Sequence, residues 1–343
     1  MWAYIRGEFR PRAAMPTFGI TIPVRNRKAF TTAILQQLTD QIAQQVATEG
    51  LKPADIQIVV VDDGSTDGTP ELIEAQFPQV HLLQGNGDLW WTGAIAHAMT
   101  YVADTLHCDY IIWLNDDITL ADDFVSQTVQ HCSSVQHSKT LIGGIICDQQ
   151  HPDWIVFGGV IASRLINDTR QFEQPVLKVD TLNGNIAILP ARIIQDIGLP
   201  DTERFRHYGG DFEYICRAKR KGYTAQLSSL LKATTEYQPV DVVRYAPLWI
   251  QCAISPRLAD KWQVLKSLSS RRSPHNVEHM VNSIHRTQPS VPKWKYATYY
   301  CRKLVKIIGS EFVPWSVRRS RIQAYFQRQN VPPDIAQAIL KQS

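Results

Sequence analysis

The stretch Val59–Thr69 reads VVVDDGSTDGT, so that an apolar run ends abruptly in carboxylates and turn residues. The valines and isoleucines of residues 56–61 are typical of a strand that is covered on both faces. Asp62, Asp63 and Gly64 follow at once. Because ligands of open α/β sheets bind beyond the carboxyl ends of the strands, this stretch predicts both a buried parallel strand and a binding edge.

Similar apolar runs recur along the first half of the chain. The other predicted strands are Phe18–Val24, Val80–Leu83, Tyr110–Leu114 and Leu141–Ile146. Between them, apolar residues recur at helical spacing, at Phe30, Ile34, Leu38, Ile42 and Val46 and at Ile95, Met99, Val102 and Leu106. This alternation predicts an α/β fold with a doubly wound, mostly parallel sheet flanked by helices.

The composition excludes several protein classes. With 343 residues, 44% of them hydrophobic and 20% charged, the chain can bury a large core, which argues against disorder, collagen and coiled coil. No apolar run approaches the roughly 18 to 20 residues that a membrane-spanning helix needs. Residues 1–16 are expected to be an N-terminal tail without a secretory signal, and the six cysteines form no Cys-x-x-Cys pair. We therefore expect a cytoplasmic protein.

The net charge of +4 is unevenly distributed, because residues 260–328 alone carry a net charge of +11. We predict that residues 241–343 form a mainly helical, basic C-terminal region. Aromatic and aliphatic residues interleave with lysine and arginine in a predicted helix over residues 294–309. Such a helix suits either the surface of an anionic membrane, at its inner face, or packing against the rest of the protein. Nothing resembles a nucleic-acid-binding motif.

Charged and polar side chains follow three of the predicted strands. They are Arg25, Asn26 and Arg27 after the first strand, Asp62 and Asp63 after the second, and Asn115, Asp116 and Asp117 after the fourth. Carboxylates packed this closely repel one another unless a cation lies among them, which points to a divalent metal, with the arginines contacting an anionic ligand. Any single aspartate alone could instead be a turn residue or a helix cap.

Three common nucleotide and hydrolase motifs are absent. The chain has no Gly-x-x-x-x-Gly-Lys-Ser/Thr loop, no Gly-x-Gly-x-x-Gly after the first strand, and no Gly-x-Ser-x-Gly elbow. A P-loop nucleotidase, a dinucleotide-dependent dehydrogenase and an α/β-hydrolase are thereby excluded.

The motif of residues 59–69, together with WLNDD at 113–117, resembles the family 2 glycosyltransferases of the GT-A fold. The run GDLWWTGA at 87–94 is similar to the bacterial branch that contains rhamnosyltransferase-like enzymes. The resemblance extends over about residues 17–240. It implies that this part is a nucleotide-sugar-binding catalytic domain.

The resemblance also implies roles for individual residues. Asp63 would hydrogen-bond the nucleobase, Asp116 the ribose, and Asp117 would ligate Mg²⁺ or Mn²⁺. Pro23, Arg25 and Asn26 lie where the first strand of the family meets the nucleotide. Asn115 departs from the Asp-x-Asp that the family often has at this position.

Two further segments have two interpretations each. Thr92 and Gly93 open a predicted helix, where their backbone N–H groups either lie near phosphate or belong to a helix cap. Asn183, in the run Asn-Gly-Asn, either shapes the sugar and acceptor pocket, as the resemblance implies, or forms a turn.

The run HYGGDFEY at residues 207–214 supplies the candidate catalytic residue, Asp211. Asp211 is placed to cap a helix that closes at Gly222. The resemblance implies instead that it is the general base of an inverting enzyme, which takes the proton of the acceptor hydroxyl. Gly210 stands where the family usually has an acidic residue.

The sequence as a whole predicts an inverting, metal-dependent glycosyltransferase of cell-envelope polysaccharide synthesis. Its donor would be a UDP, dTDP or GDP sugar and its acceptor a hydroxyl of a glycan or a lipid-linked acceptor. One alternative is a catalytically silent nucleotide- or carbohydrate-binding subunit, favoured if Asn115 and Gly210 mark decay. Another is a sugar nucleotidyltransferase, which usually opens with a glycine-rich loop where this chain has PVRNR at 23–27.

Overall fold

The computed structural model describes residues 15–49, 51–134, 139–255, 257–285 and 291–341. The predicted N-terminal tail therefore lies outside the described residues except for Met15 and Pro16. The strands are β1 Phe18–Val24, β2 Ile56–Asp62, β3 His81–Gln84, β4 Tyr110–Leu114, β5 Thr119–Leu120, β6 Thr140–Asp148, β7 Ile155–Phe157, β8 Gly159–Ile161, β9 Arg164–Leu165, β10 Val176–Lys178, β11 Thr181–Leu182, β12 Ile186–Pro190 and β13 Thr224–Thr235.

The main sheet has the strand order β10-β13-β6-β12-β4-β1-β2-β3, with β5 beside β13 and β7 beside β6. Strands β4, β1, β2 and β3 run parallel, as do β6 and β13. Strand β12 is antiparallel to both β4 and β6 and joins the two parallel groups. Strands β11, β8 and β9 form a small separate sheet. The predicted α/β fold with a mostly parallel sheet is confirmed.

Helices cover the sheet and make up the C-terminal part. They are α1 Lys28–Glu49, α2 Thr69–Gln76, α3 Trp90–Tyr101, α4 Phe124–Ser134, α5 Ile193–Ile197, α6 Gly210–Arg220, α7 Pro239–Tyr245, α8 Leu248–Ile254, α9 Leu258–Lys266, α10 Val277–Ile284, α11 Lys293–Glu311, α12 Trp315–Arg328 and α13 Pro333–Lys341. A π turn, Val102–Leu106, continues α3, and short 3₁₀ turns occupy Pro53–Asp55 and Thr169–Gln171.

The core lies on both faces of the sheet, because successive strand residues point to opposite sides. On one face, Ile20 and Ile22 pack with Ile34 and Leu38 of α1. On the other, residues such as Val59 pack with α3 and α6. The helical spacing of the sequence thus identifies the buried stripes of α1 and α3, with one exception.

The exception is Phe30, which the spacing places on the core face of α1 but whose side chain is 53% exposed. The guanidinium of Arg27 lies 4.7 Å from the centre of its ring. Phe30 therefore makes a cation–π contact with Arg27 and does not fill the core.

Helices α7–α13 follow the last strand and pack in two apolar clusters. One joins α7, α8, α12 and α13 and includes Trp154 from the sheet region, and the other joins α8 to α11. Asn330 also donates to Asn167, across 2.9 Å, which ties the helical part to the sheet region. A division into domains at residue 240 stays a prediction. Among the described helices, none combines the length and apolarity needed to cross a bilayer.

Candidate active site

The ends of β1, β2 and β4 lie side by side, because β1 is the parallel neighbour of both other strands. Val24 pairs with Asp62, and the next N–H, that of Asp63, donates to the carbonyl of Val24 at 2.9 Å. The three polar segments that follow these strands are thereby brought to one edge of the sheet. The predicted clustering of arginines and aspartates is present.

Arg27 lies between the two aspartates that follow β4. Its Nε donates to Asp116 at 2.7 Å and its Nη2 lies 3.1 Å from Asp117. Asp116 is buried and also accepts from the hydroxyl of Thr31 at 3.1 Å, whereas the Asp117 side chain is 51% exposed. The protein itself thus provides a cation for this pair, and Asp117 is the carboxylate that solvent can reach.

Burial raises the pKa of Asp116 to about 6, and the charge of Asp117 adds to this while Arg27 opposes it. The carboxylate is held in a place that disfavours its ionised form. Its two hydrogen bonds, from Arg27 and Thr31, fix its orientation.

Asp63 stabilises the loop before α3, which borders the site. Its Oδ1 accepts from the N–H groups of Gly87 and Leu89 at 2.8 and 3.1 Å, and its Oδ2 from that of Trp90 at 3.0 Å. Three of the roughly four lone-pair positions of a carboxylate are thus used. The nucleobase contact of Asp63 stays a prediction, with one acceptor position left for it.

The loop after β1 is held by its own side chains. Asn26 has a left-handed backbone, with φ of 52°, and its Oδ1 accepts from the N–H of Thr66 at 2.7 Å. Arg25 donates to the carbonyl of Gly87 at 2.5 Å, and Pro23 is half-buried near the end of β1. Asn26 therefore connects the loops after β1 and β2, while Arg25 reaches the loop that Asp63 holds.

Thr92 and Gly93 donate their N–H groups within the protein. The N–H of Thr92 donates to the carbonyl of Arg206 at 3.1 Å, and that of Gly93 to the carbonyl of Leu89 at 3.1 Å. These bonds form the first turn of α3 and attach it to the segment before α6. The phosphate contact and the helix-cap role of Thr92 and Gly93 both stay predictions.

Asn115, which departs from the family pattern, has two specific partners. Its Oδ1 accepts from the indole N–H of Trp91 at 2.9 Å, and its Nδ2 donates to Oδ1 of Asn185 at 2.5 Å. An ionised aspartate at this position could not donate to Asn185. These two partners explain why an amide stands at position 115. Trp91 donates to this amide and also packs edge-on against Trp113.

Asp211 lies on the same network. Its Oδ2 accepts from the N–H of Gly184 at 2.8 Å, its Oδ1 from the N–H of Phe212 at 2.8 Å, and burial raises its pKa. Gly209, with φ of 84°, precedes α6 at the capping position. The N–H of Phe212 belongs to the first turn of α6, so one oxygen of Asp211 satisfies a donor at the helix start while the other holds Gly184. The capping role and the role as general base both stay predictions.

Two glycines allow this arrangement. A Cβ at Gly184 would lie 2.6 Å from the ring of Trp91, and a Cβ at Gly210 would lie 2.5 Å from Oγ1 of Thr92. An acidic residue at position 210 would not fit. Asn183, next to this point, donates to the carbonyl of Gly158 at 2.6 Å and accepts from the N–H of Asn185, so its side chain stabilises a turn.

The helical region adds a side chain that the sequence did not indicate. Tyr245 of α7 lies beside Tyr208; burial raises its pKa, and the neighbouring charge of Asp117 adds to this. No motif surrounds Tyr245, so its position becomes evident only from the packing of α7. Nε2 of His275 lies 2.9 Å from the carbonyl oxygen of Arg244, also in α7.

Comparison with known proteins agrees with this geometry. Residues 20–150 match the profile of the glycosyl transferase family 2. This segment is a family 2 glycosyltransferase domain. No curated protein shows significant sequence similarity to the chain.

Solved structures share the fold of this domain and of most of the rest of the chain. TarS of S. aureus superposes with a TM-score of 0.50 at 14% identity, covering 86% of this chain and 54% of TarS. The mannosyltransferase PcManGT of Pyrobaculum calidifontis, solved with GDP-Man and Mn²⁺, gives 0.51 at 13% identity, covering 96% and 85%. The chain thus spans about half the length of TarS. Membership of the rhamnosyltransferase-like branch stays a prediction.

The raised pKa of Asp116 predicts a pH-dependent stability. The unfolded chain releases this proton near pH 4 and the folded protein near pH 6, so the free energy of unfolding falls as pH rises through that window. Asp116→Asn removes the effect, worth about 1 to 3 kcal/mol. The melting temperature of the variant minus that of the wild type should rise from pH 4 to pH 6 and stay constant above pH 6. The exposed Asp122→Asn is the control, and a difference independent of pH would contradict the assignment.

Proposed function

We propose that this protein is an inverting glycosyltransferase that moves a sugar from a nucleotide-diphosphate donor to an acceptor hydroxyl, with Mg²⁺ or Mn²⁺. The observation that carries the proposal is the position of Asp211. Its carboxylate is fixed on Gly184, in a network that runs through Trp91 to Asn115, directly before the two aspartates at the end of β4. A candidate proton acceptor thereby adjoins the edge at which we expect the donor.

Asp211 suits the role of general base. A raised pKa makes its carboxylate a stronger proton acceptor than an exposed aspartate, which matters for a base that works near neutral pH. In the proposed step, Asp211 takes the proton of the acceptor hydroxyl while the hydroxyl oxygen bonds to the anomeric carbon. The bond from that carbon to the nucleotide diphosphate breaks, and attack from the opposite side inverts the configuration.

The residues present fit a metal that is shared with the donor. Among the described residues, no group of three or more histidine, cysteine, aspartate or glutamate side chains forms a metal cage. Mg²⁺ and similar ions are commonly held by one or two carboxylates together with substrate phosphates. Asp117 is half-exposed, forms an ion pair with Arg27, and is the carboxylate that would hold the ion. When bound, the ion would offset the charge of the leaving diphosphate.

The departures from the family pattern argue against a silent binding subunit. Asn115 and Gly210 both have specific packing partners, so neither is a sign of decay. Asp63, Asp116, Asp117 and Asp211 are all retained at the site. A sugar nucleotidyltransferase has less support, because Asn26 occupies the loop after β1 with a structural role and no glycine-rich loop is present there.

We also propose that the protein works at the inner face of the membrane on a lipid-linked acceptor. Helix α11 has apolar side chains on two faces: Tyr296, Tyr299, Leu304 and Ile307 pack inward. A second stripe, Trp294, Val305, Ile308 and Phe312, is exposed, with exposed fractions of 53% to 85%. These positions lie on one side of a helix, since they are spaced by multiples of about 3.6 residues.

Helix α9 extends this surface. Its Leu258 and Trp262 are 85% and 59% exposed, and Lys261 forms an ion pair with Glu311 at the end of α11. Arg302 and Lys306 flank the exposed stripe on α11. Exposed large apolar groups beside cations suit an anionic bilayer. The two sequence interpretations of this helix are therefore compatible: one face packs against the rest of the protein, and the other is free to contact a membrane.

The role of Asp211 predicts a selective loss of turnover. Asp211→Asn removes the proton acceptor but keeps the side-chain shape, so turnover should fall about 10² to 10⁴-fold with donor affinity little changed. Initial rates, donor titration and melting temperature are measured together. The matched control is Glu203→Gln, an exposed residue of the loop that precedes α6. Wild-type turnover of Asp211→Asn would contradict the assignment.

The role of Asp117 predicts a loss that depends on metal. Asp117→Ala should abolish the stimulation of transfer by Mn²⁺ or Mg²⁺, because the ion loses its protein ligand, while nucleotide binding without metal should survive. Rates over a metal titration test this, with exposed Asp122→Ala as the control. Normal metal activation of the variant would remove Asp117 from the site.

The exposed stripe predicts binding to anionic vesicles. The wild type should float with phosphatidylglycerol vesicles, and Trp294→Ser with Phe312→Ser should weaken binding at least about tenfold through lost apolar burial. Leu165→Ser with Val240→Ser, which changes exposed apolar residues elsewhere, should have no effect. Absence of flotation by the wild type at low salt would refute the membrane proposal.

A further inference from the structure

A cluster of arginines surrounds Trp90 at the border of the candidate active site. Nη1 of Arg206 lies 3.1 and 3.0 Å from the two oxygens of Asp88, which also accepts from the indole N–H of Trp90 at 2.8 Å. The guanidinium of Arg272, from the loop between α9 and α10, lies 5.8 Å from the centre of the Trp90 ring. Three separate segments of the chain thus meet here.

Positive charge is in excess in this cluster. The hydrogen bonds from Trp90 and Arg206 lower the pKa of Asp88, and the charges of Arg206 and Arg271 lower it further. Arg271 therefore acts on the same carboxylate as Arg206. Arg206 and Arg271 act on this one hydrogen-bonded carboxylate, and Arg272 lies over the neighbouring Trp90 ring, so the guanidinium groups outnumber the carboxylate and can attract an anion.

Two histidines near the arginines each have a buried ring nitrogen that lacks a partner among the described residues. Nδ1 of His207 and Nδ1 of His279 are buried, and neither has a hydrogen-bond partner in the part of the chain that the structure describes. His279 is only 7% exposed, and the His207 ring packs edge-on against Trp90. A buried polar atom without a partner is costly, and both rings thus have hydrogen-bonding capacity that the described residues leave unused.

The cluster is attached to the catalytic segment. Arg206 lies five residues before Asp211, and its carbonyl accepts from the N–H of Thr92 at the start of α3. Gly210, next to Asp211, packs against the same threonine. A group bound to Arg206 is therefore held on the segment that carries the proposed base.

We propose that Arg206, Arg271 and Arg272 form a phosphate-binding subsite for the acceptor, beside Trp90. Guanidinium groups bind phosphate through paired, charge-assisted hydrogen bonds. Because the donor diphosphate is expected at Asp117, a second cationic site fits an acceptor that carries its own phosphate, such as a glycan joined to its carrier through a phosphate ester. This inference rests on the proposed function.

The test uses glucose 1-phosphate as the probe, with glucose as the phosphate-free comparison. Full-length protein is titrated calorimetrically, alone and with the nucleoside diphosphate that stabilises it most. We expect glucose 1-phosphate to bind in both conditions and glucose in neither. Arg271→Ala with Arg272→Ala should weaken binding at least tenfold, whereas Arg319→Ala with Arg321→Ala, which removes equal charge from exposed positions of α12, should not.

A gain of affinity provides a check that misfolding cannot imitate. Asp88→Asn removes the carboxylate that competes for Arg206, so it should bind glucose 1-phosphate several-fold more tightly than the wild type. The subsite is overturned if both double-arginine variants lose affinity equally, or if Asp88→Asn binds no better. It is also overturned if bound nucleotide abolishes binding of the probe, because the phosphate would then occupy the donor position. Failure of the proposed function would appear separately, as full turnover of Asp211→Asn.

Discussion

The placement of Arg27 between Asp116 and Asp117 is the interaction on which the candidate site depends. Two carboxylates at the end of one strand repel each other, and burial of Asp116 adds a cost that its raised pKa reports. Arg27 offsets both, and it is itself fixed by stacking on Phe30 at the start of α1. The sheet order makes this possible, since it sets the end of β1 beside the end of β4.

Close packing then positions the rest of the site. Gly184 lets the backbone approach Trp91, and Gly210 lets the start of α6 approach Thr92. Asp211 and Asn115 are joined through these contacts into one network whose members support one another. Because Asp211 accepts from two backbone N–H groups, the proposed base is held in place before any substrate binds.

The sequence predicts the part of this structure that depends on local patterns. The apolar runs identify β1, β2, β4 and β6 closely, and the residues that follow three of these strands do gather at one edge. What it does not predict is how the polar groups share partners. A metal was expected to compensate the carboxylates, yet Arg27 already lies between two of them, because charge pairing depends on side-chain direction across strands. Asp211 joins the first turn of α6 to Gly184, and no local pattern indicates the second of these contacts. Tyr245 has no sequence signal at all, since its place depends on the packing of α7.

The central claim is that the edge formed by Asp63, Asp116 and Asp117 binds a nucleotide diphosphate jointly with a divalent ion. Melting temperatures measured with UDP, GDP and dTDP, each with and without Mn²⁺, test it most directly. We predict that Mn²⁺ alone changes the melting temperature little, since a single accessible carboxylate holds the ion weakly. One nucleotide together with Mn²⁺ should stabilise the fold by more than the two separate effects combined. The total stabilisation at a hundredfold excess over Kd is about 2.7 kcal/mol. The claim would be contradicted if Mn²⁺ alone shifted the melting temperature as much as a nucleotide together with Mn²⁺. It would also be contradicted if no nucleotide shifted it at millimolar concentration.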